Sequence, residues 1–182
     1  MHDNDPDNSA GNAAANPAGG DMGHNNSTHR HLLKHADIEA LPAREHVHQF
    51  NSNAVRITRT LSDPAGLQHL GLHLVHLPPG RDSTTYHYHD GEEEFLYVLS
   101  GRGVAEIGDT THEIGPGDFM GFPRGSPAHV LSNPFDSELV YLMGGEHRDL
   151  DVVHYPRIGR SMIKHAGRKL WADHDNIHEV PR

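Results

Sequence analysis

No cysteine occurs anywhere in the chain. Disulfide staples, thiolate zinc sites and thiol nucleophiles are therefore excluded together. Apolar residues make up only 35% of the 182 residues, and no run of them is long enough to span a membrane. The N-terminus also lacks the apolar segment of an export signal, so a cytoplasmic location is expected. Positive charge is scarce: 15 Lys and Arg stand against 25 Asp and Glu, a net −10 with neutral histidines. A surface of that sign repels phosphate backbones and argues against a nucleic-acid partner. A phosphate loop, a dinucleotide-binding glycine fingerprint, a helix-turn-helix pattern and an internal repeat are all missing.

Histidine is what the chain has in excess, 19 in all. Most are expected to be solvated surface or tail residues, including His24, His29, His31 and His35 of the N-terminal segment. A different pattern surrounds His87 and His89, which are separated by one residue in Gly80-Arg-Asp-Ser-Thr-Thr-Tyr-His-Tyr-His-Asp-Gly-Glu-Glu-Glu-Phe-Leu-Tyr-Val-Leu-Ser-Gly101. Alternate residues of a strand share a face, so both imidazoles can address one point. A turn at Asp90-Gly91 would bring the next strand back alongside and carry Glu94 to the same point. Imidazoles and a carboxylate together suit a divalent transition metal. A second stretch, Gly117 to Asn133, supplies His129 on another strand-like segment.

Short strands punctuated by Gly and Pro fill the middle of the chain, the spacing of an all-β barrel or jelly roll with no room for a βαβ unit. Val55 and Ile57 alternate with Arg56 and Thr58, as in a half-buried antiparallel strand. Leu70, Leu72 and Leu74 alternate with His69, Gly71 and His73, so these histidines are expected to face outward. Phe95–Leu99 is apolar on both faces, which suits a central strand covered outside by another sheet or a second subunit. Residues 1–52 read as a largely irregular arm with a short helix or turn near Leu32–Leu41, where Asp37 could cap and Pro42 stop it. The barrel is expected over residues 53–155. Residues 156–182 read as a C-terminal arm that packs on the barrel or across a dimer, anchored by Trp171, the only tryptophan.

Gly80, His87, His89, Glu94 and Gly101, followed by Gly117, Pro123, Gly125, His129 and Asn133, resemble the two motifs of the cupin superfamily. Two turns depart from its spacing: six residues rather than five separate Gly80 from His87, and three rather than two separate Gly125 from His129. Turns tolerate one extra residue, so the departures touch loop geometry rather than the ligands. The likeness is to the small bacterial single-domain cupins. It implies a double-stranded β-helix barrel with irregular arms, holding one divalent transition metal (Fe, Mn, Zn, Ni or Cu) on His87, His89, Glu94 and His129. It also implies a homodimer.

Four protein ligands on a six-coordinate ion would leave two positions for water, O2 or a chelating substrate. A divalent ion, three neutral histidines and one carboxylate sum to +1, which favours an anionic or enolisable oxygen ligand. Three classes of function follow. The first is a metal-dependent enzyme on a small anionic or oxygen-rich molecule, isomerase-like or dioxygenase-like. The second is a non-catalytic small-ligand or metal-binding domain, and the third an assembly module, which has no need of a complete ligand set. A general acid or base would come from Glu92, Glu93, Tyr86, Tyr88 or His112. Arg124, in the turn before His129, could add positive charge at the mouth but reads more simply as a solvated turn residue.

Overall fold

The computed structural model describes residues 30–178 and 180. Thirteen strands carry the fold among them: β1 (Arg44–His48), β2 (Asn51–Thr60), β3 (Leu70–Leu77), β4 (Tyr88–His89), β5 (Glu94–Ser100), β6 (Gly103–Ile107), β7 (Thr110–Ile114), β8 (Phe119–Phe122), β9 (His129–Ser132), β10 (Leu139–Glu146), β11 (Leu150–Tyr155), β12 (Arg160–His165) and β13 (Arg168–Asp173). Helix is confined to α1 (His35–Glu39), α2 (Ser62–Ala65) and two 3-10 turns, as the all-β reading requires. Asp37 sits in the first turn of α1, where its carboxylate accepts the Lys34 N–H at 3.0 Å. Pro42, which has no N–H to donate, follows the helix. The segment before residue 30, with His24 and His29, lies outside the described residues.

One wall of the barrel is a six-stranded sheet in the order β1-β2-β3-β10-β5-β8. A four-stranded sheet, β13-β12-β11-β4, and a three-stranded one, β7-β6-β9, make the other wall. His87 and His129 join these two by exchanging backbone hydrogen bonds of 3.1 and 2.8 Å. The strand pairs are antiparallel throughout, and the architecture is a double-stranded β-helix. Val75, Leu77, Leu96, Val98, Leu131 and Leu139 close one end with a dry core. Gly101 turns the chain at φ 80°, and a Cβ there would fall 2.1 Å from the Glu138 carbonyl oxygen, so only glycine fits.

Three local expectations need correction. Asp90-Gly91 does not make a hairpin: β4 pairs with β11, whereas β5 pairs with β8 and β10. The turn instead carries the chain from one wall to the other. On β3 the inward row is His73, Val75 and Leu77, the last two fully buried, while Leu70, Leu72 and Leu74 take the outer face. On β2, likewise, buried Ala54 shares its row with Arg56 and Thr58. On β2 the inward row carries Arg56, which lines a cavity whose wall is partly polar, so the apolar row does not mark the inside. On β3 both rows are mostly apolar, and alternation alone does not choose between them.

Beyond Pro156 the chain is not irregular. β12 and β13 form an antiparallel hairpin that extends the second wall through β11. Trp171 on β13 packs edge-on against Phe50 at 4.8 Å and lies 5.2 Å from the Tyr155 ring. It anchors the hairpin on the barrel of its own chain.

Candidate metal centre

Three strands and both walls deliver the predicted cluster. His87, just before β4, and His89 on β4 project from the second wall, as does His129 from β9. Glu94, the first residue of β5, reaches in from the six-stranded sheet. Its Oε2 lies 3.6 Å from His87 Nε2, 3.3 Å from His89 Nε2 and 3.4 Å from His129 Nε2. Ligands held about 2.1 Å from a common ion stand roughly 3.0–3.4 Å apart. His87, His89 and Glu94 keep their donors within 4.8 Å of one another, as a group that could hold an ion, and His129 joins them through its approach to Glu94.

The far side of two imidazoles is fixed as such a site needs. His87 Nδ1 donates to the Thr85 carbonyl at 3.0 Å, and His89 Nδ1 donates to Asp151 Oδ2 at 2.6 Å. With the proton on Nδ1, each Nε2 turns a lone pair toward Glu94. His129 is held by its ring face, stacked on Phe122 at 3.5 Å and 5°. Tyr155 stacks on His87 at 5.8 Å.

Electrostatics match the geometry. Burial by itself would raise the Glu94 carboxyl, but His129, His87 and His89 hold it well below the ordinary value. Burial lowers His129, against the pull of Glu94, and keeps its imidazole neutral. His89 is also pushed down by burial, yet Asp151 and Glu94 outweigh that and raise it. Asp151, raised by burial, is brought below its usual value by His89 and by the N–H groups of Gly91 and Glu92.

Glu94 is singled out from its neighbours by what they touch. Glu93 is exposed. Glu92, expected in a solvated acidic turn, is buried; its Oε1 accepts the Arg148 N–H at 2.6 Å and pairs with the Lys164 ammonium. Glu92 and Asp151 do approach His89 as a second carboxylate group. Glu92 Oε1 is already taken, as are both oxygens of Asp151, by His89 Nδ1 and by the Gly91 and Glu92 N–H groups at 2.9 and 3.2 Å.

A cavity of about 790 Å³ opens beside the cluster. None of the acid–base candidates raised from the sequence lines it. Tyr86 donates to the Gly108 carbonyl under Arg157, Tyr88 stacks on His154, and His112 is exposed. Arg124 is exposed as well and donates to the Asp90 carbonyl at 3.3 Å. The walls are instead His48, Arg56, Tyr141, Tyr155 and, at the mouth, Trp171. Burial drives His48 down to about 4 and lifts Tyr141 and Tyr155 to about 12, so near neutrality the imidazole is uncharged and both phenols keep their protons.

The cupin-domain family model matches residues 73–145, which hold the whole cluster. A presumptive sugar phosphate isomerase from Acidithiobacillus ferrooxidans is 38% identical and aligns with TM-score 0.80 over 84% of this chain and 97% of its own. The chain belongs to the cupin family. A second cupin, from Silicibacter pomeroyi and named a sugar phosphate isomerase, is 27% identical with TM-score 0.72, over 79% of this chain and 95% of its own. A Thermotoga maritima protein named as a predicted oxalate decarboxylase is 19% identical and shares the fold, with TM-score 0.52 over 61% of this cupin and 96% of its own chain. No curated protein matches this cupin. No helix among the described residues is long and apolar enough to cross a membrane.

Proposed function

We propose that this cupin is a metal-dependent enzyme of the sugar-phosphate isomerase type, acting on a small anionic, oxygen-rich molecule. His87, His89, Glu94 and His129 hold one divalent transition metal. The observation that carries this reading is the convergence of three histidine Nε2 atoms on one carboxylate oxygen at 3.3–3.6 Å beside an open cavity. The names of the two relatives at 38% and 27% identity support the substrate class. When bound, the ion would polarise a carbonyl or hydroxyl oxygen of the substrate. His48 accepts the Phe50 N–H on Nδ1 at 3.3 Å, so its neutral ring carries the proton on Nε2. That N–H and the Tyr155 hydroxyl are the donors that orient substrate oxygens along the wall. The enzyme works as a homodimer in the cytoplasm.

Metal analysis of protein purified without added metal, followed by a screen of phosphorylated aldoses and ketoses, tests the proposal. Manganese or zinc with interconversion of a phosphosugar is the expected result. Oxygen consumption with a redox metal would replace the isomerase reading by a dioxygenase. Tight ligand binding without turnover would make the protein a non-catalytic binding cupin.

A further inference from the structure

A positive charge faces the inside of this barrel without a counter-charge. Arg56 stands on the inward row of β2 and lines the same cavity as the histidine–glutamate cluster. Its Nη1 donates to the Ser83 carbonyl. Its Nε is buried without a hydrogen-bond partner. Among the described residues, no carboxylate lies within ion-pair distance of the guanidinium, whereas Arg102, Arg148 and Arg157 on the outer surface are each paired with a glutamate. Charges set inside a protein are paired as a rule, and buried donors find acceptors.

Tyr141 repeats the pattern beside it. Its hydroxyl is fully buried; the Ser83 side chain stands close to it, but no well-aligned hydrogen bond forms. Burial raises it to about 12, against the opposing pull of Arg56 and Ser83, so it stays an O–H donor. Arg56 also disfavours protonation of His48 and His73, so its field extends over both neighbours. Two donors without acceptors thus share one wall. An arginine suits this role better than a lysine, because its planar edge presents parallel N–H groups to a carboxylate or phosphate.

We propose that Arg56 receives a terminal oxyanion of the substrate, a phosphate monoester or a carboxylate, with the Tyr141 hydroxyl donating to an oxygen next to it. The oxygen-rich reacting end of the molecule then lies at the histidine–glutamate cluster. This deepens the proposed function and rests on its reading of the cavity as a site for a small anionic molecule. It also shows how an acidic chain could admit an anion: Arg56 sets an unpaired positive group inside the cavity, away from the negative surface.

The test uses metal-free protein, so that no anion is held by a metal. Inorganic phosphate and acetate are titrated separately, followed by calorimetry and by the Arg56 Nε–H resonance in nitrogen-15 NMR. Saturable phosphate binding that shifts this resonance is expected, weakened at least tenfold in Arg56→Gln and less in Arg56→Lys. Acetate binding with the same dependence on Arg56 would support the oxyanion site and identify the carboxylate as its source. Absence of saturable binding of either anion, or binding unchanged in Arg56→Gln, would overturn the proposal. If Arg56→Gln does not fold, the response of the wild-type resonance decides alone. Metal loading is measured separately on the same proteins. Loss of the metal reading therefore leaves Arg56-dependent anion binding standing, and loss of anion binding leaves the metal reading intact.

Discussion

Asp151 holds His89 Nδ1 at 2.6 Å with a carboxylate whose side chain is 1% exposed. The same carboxylate accepts the N–H groups of Gly91 and Glu92, and a Cβ on Gly91 would fall 2.9 Å from its Oδ1. One residue of β11 thereby fixes both the tautomer of His89 and the turn that leads to Glu94. Asp151→Asn should weaken metal binding by about 10–100-fold, the usual cost of losing a partner behind a metal-bound histidine. A chelator competition measures it, and unchanged affinity would remove Asp151 from the site.

Glu92 and Lys164 form a pair whose side chains are only 10% and 16% exposed. Glu92→Gln leaves the ammonium without its charge partner, so it should cost roughly 1–3 kcal/mol of stability. It should not cost metal. Urea unfolding alongside metal analysis separates the two, and metal loss at unchanged stability would make Glu92 a ligand.

His48 sets one acid limit of the metal-free protein. Its imidazole titrates near 6.5 when unfolded and is lowered to about 4 in the fold, first by burial and then by the charges of His46, His87 and Arg56. Between those two values the unfolded chain binds a proton that the folded chain refuses. Stability therefore falls as pH drops from about 6.5 to about 4, and this group adds nothing further below that. His89, raised in the fold, works in the opposite sense. The difference between wild type and His48→Gln isolates the effect: urea midpoints should converge as pH falls through this window. Parallel curves would contradict it.

The outer face of β5 and β8 exposes Tyr97, Leu99 and Phe119, at 39%, 43% and 65%. An apolar strip of this kind suits burial against a second copy. The chain should sediment as a dimer at micromolar concentration, and Leu99→Asp should shift it to monomer. A wild-type monomer at high micromolar concentration would exclude the dimer.

The cluster was legible because its signals are local. His87 and His89 need only strand alternation, and the spacing from Glu94 to Gly101 singles out one glutamate of three. Leu96 and Val98 continue the inward row from Glu94 as alternation requires, at 5% and 0% exposure. Asp151 and Arg56 escaped because their roles depend on contacts far along the chain. Asp151 meets His89 across 62 positions, with nothing in the Leu150–Tyr155 segment to announce it. His73 was expected on the outer face, and the inward place of Arg56 went unread, because alternation gives two rows without saying which one is inside. On β2 a cavity with a partly polar wall reverses the usual choice. The β12–β13 hairpin lacked clear alternation, its strands being basic and partly exposed.

Metal content per chain, measured in wild type, Glu94→Gln and Glu93→Gln purified in parallel, bears most directly on the site. Wild type and Glu93→Gln should carry close to one divalent ion per chain, and Glu94→Gln should lose most of it. Full occupancy in Glu94→Gln, or a wild type that binds no metal when it is supplied, would contradict a metal held by His87, His89, Glu94 and His129.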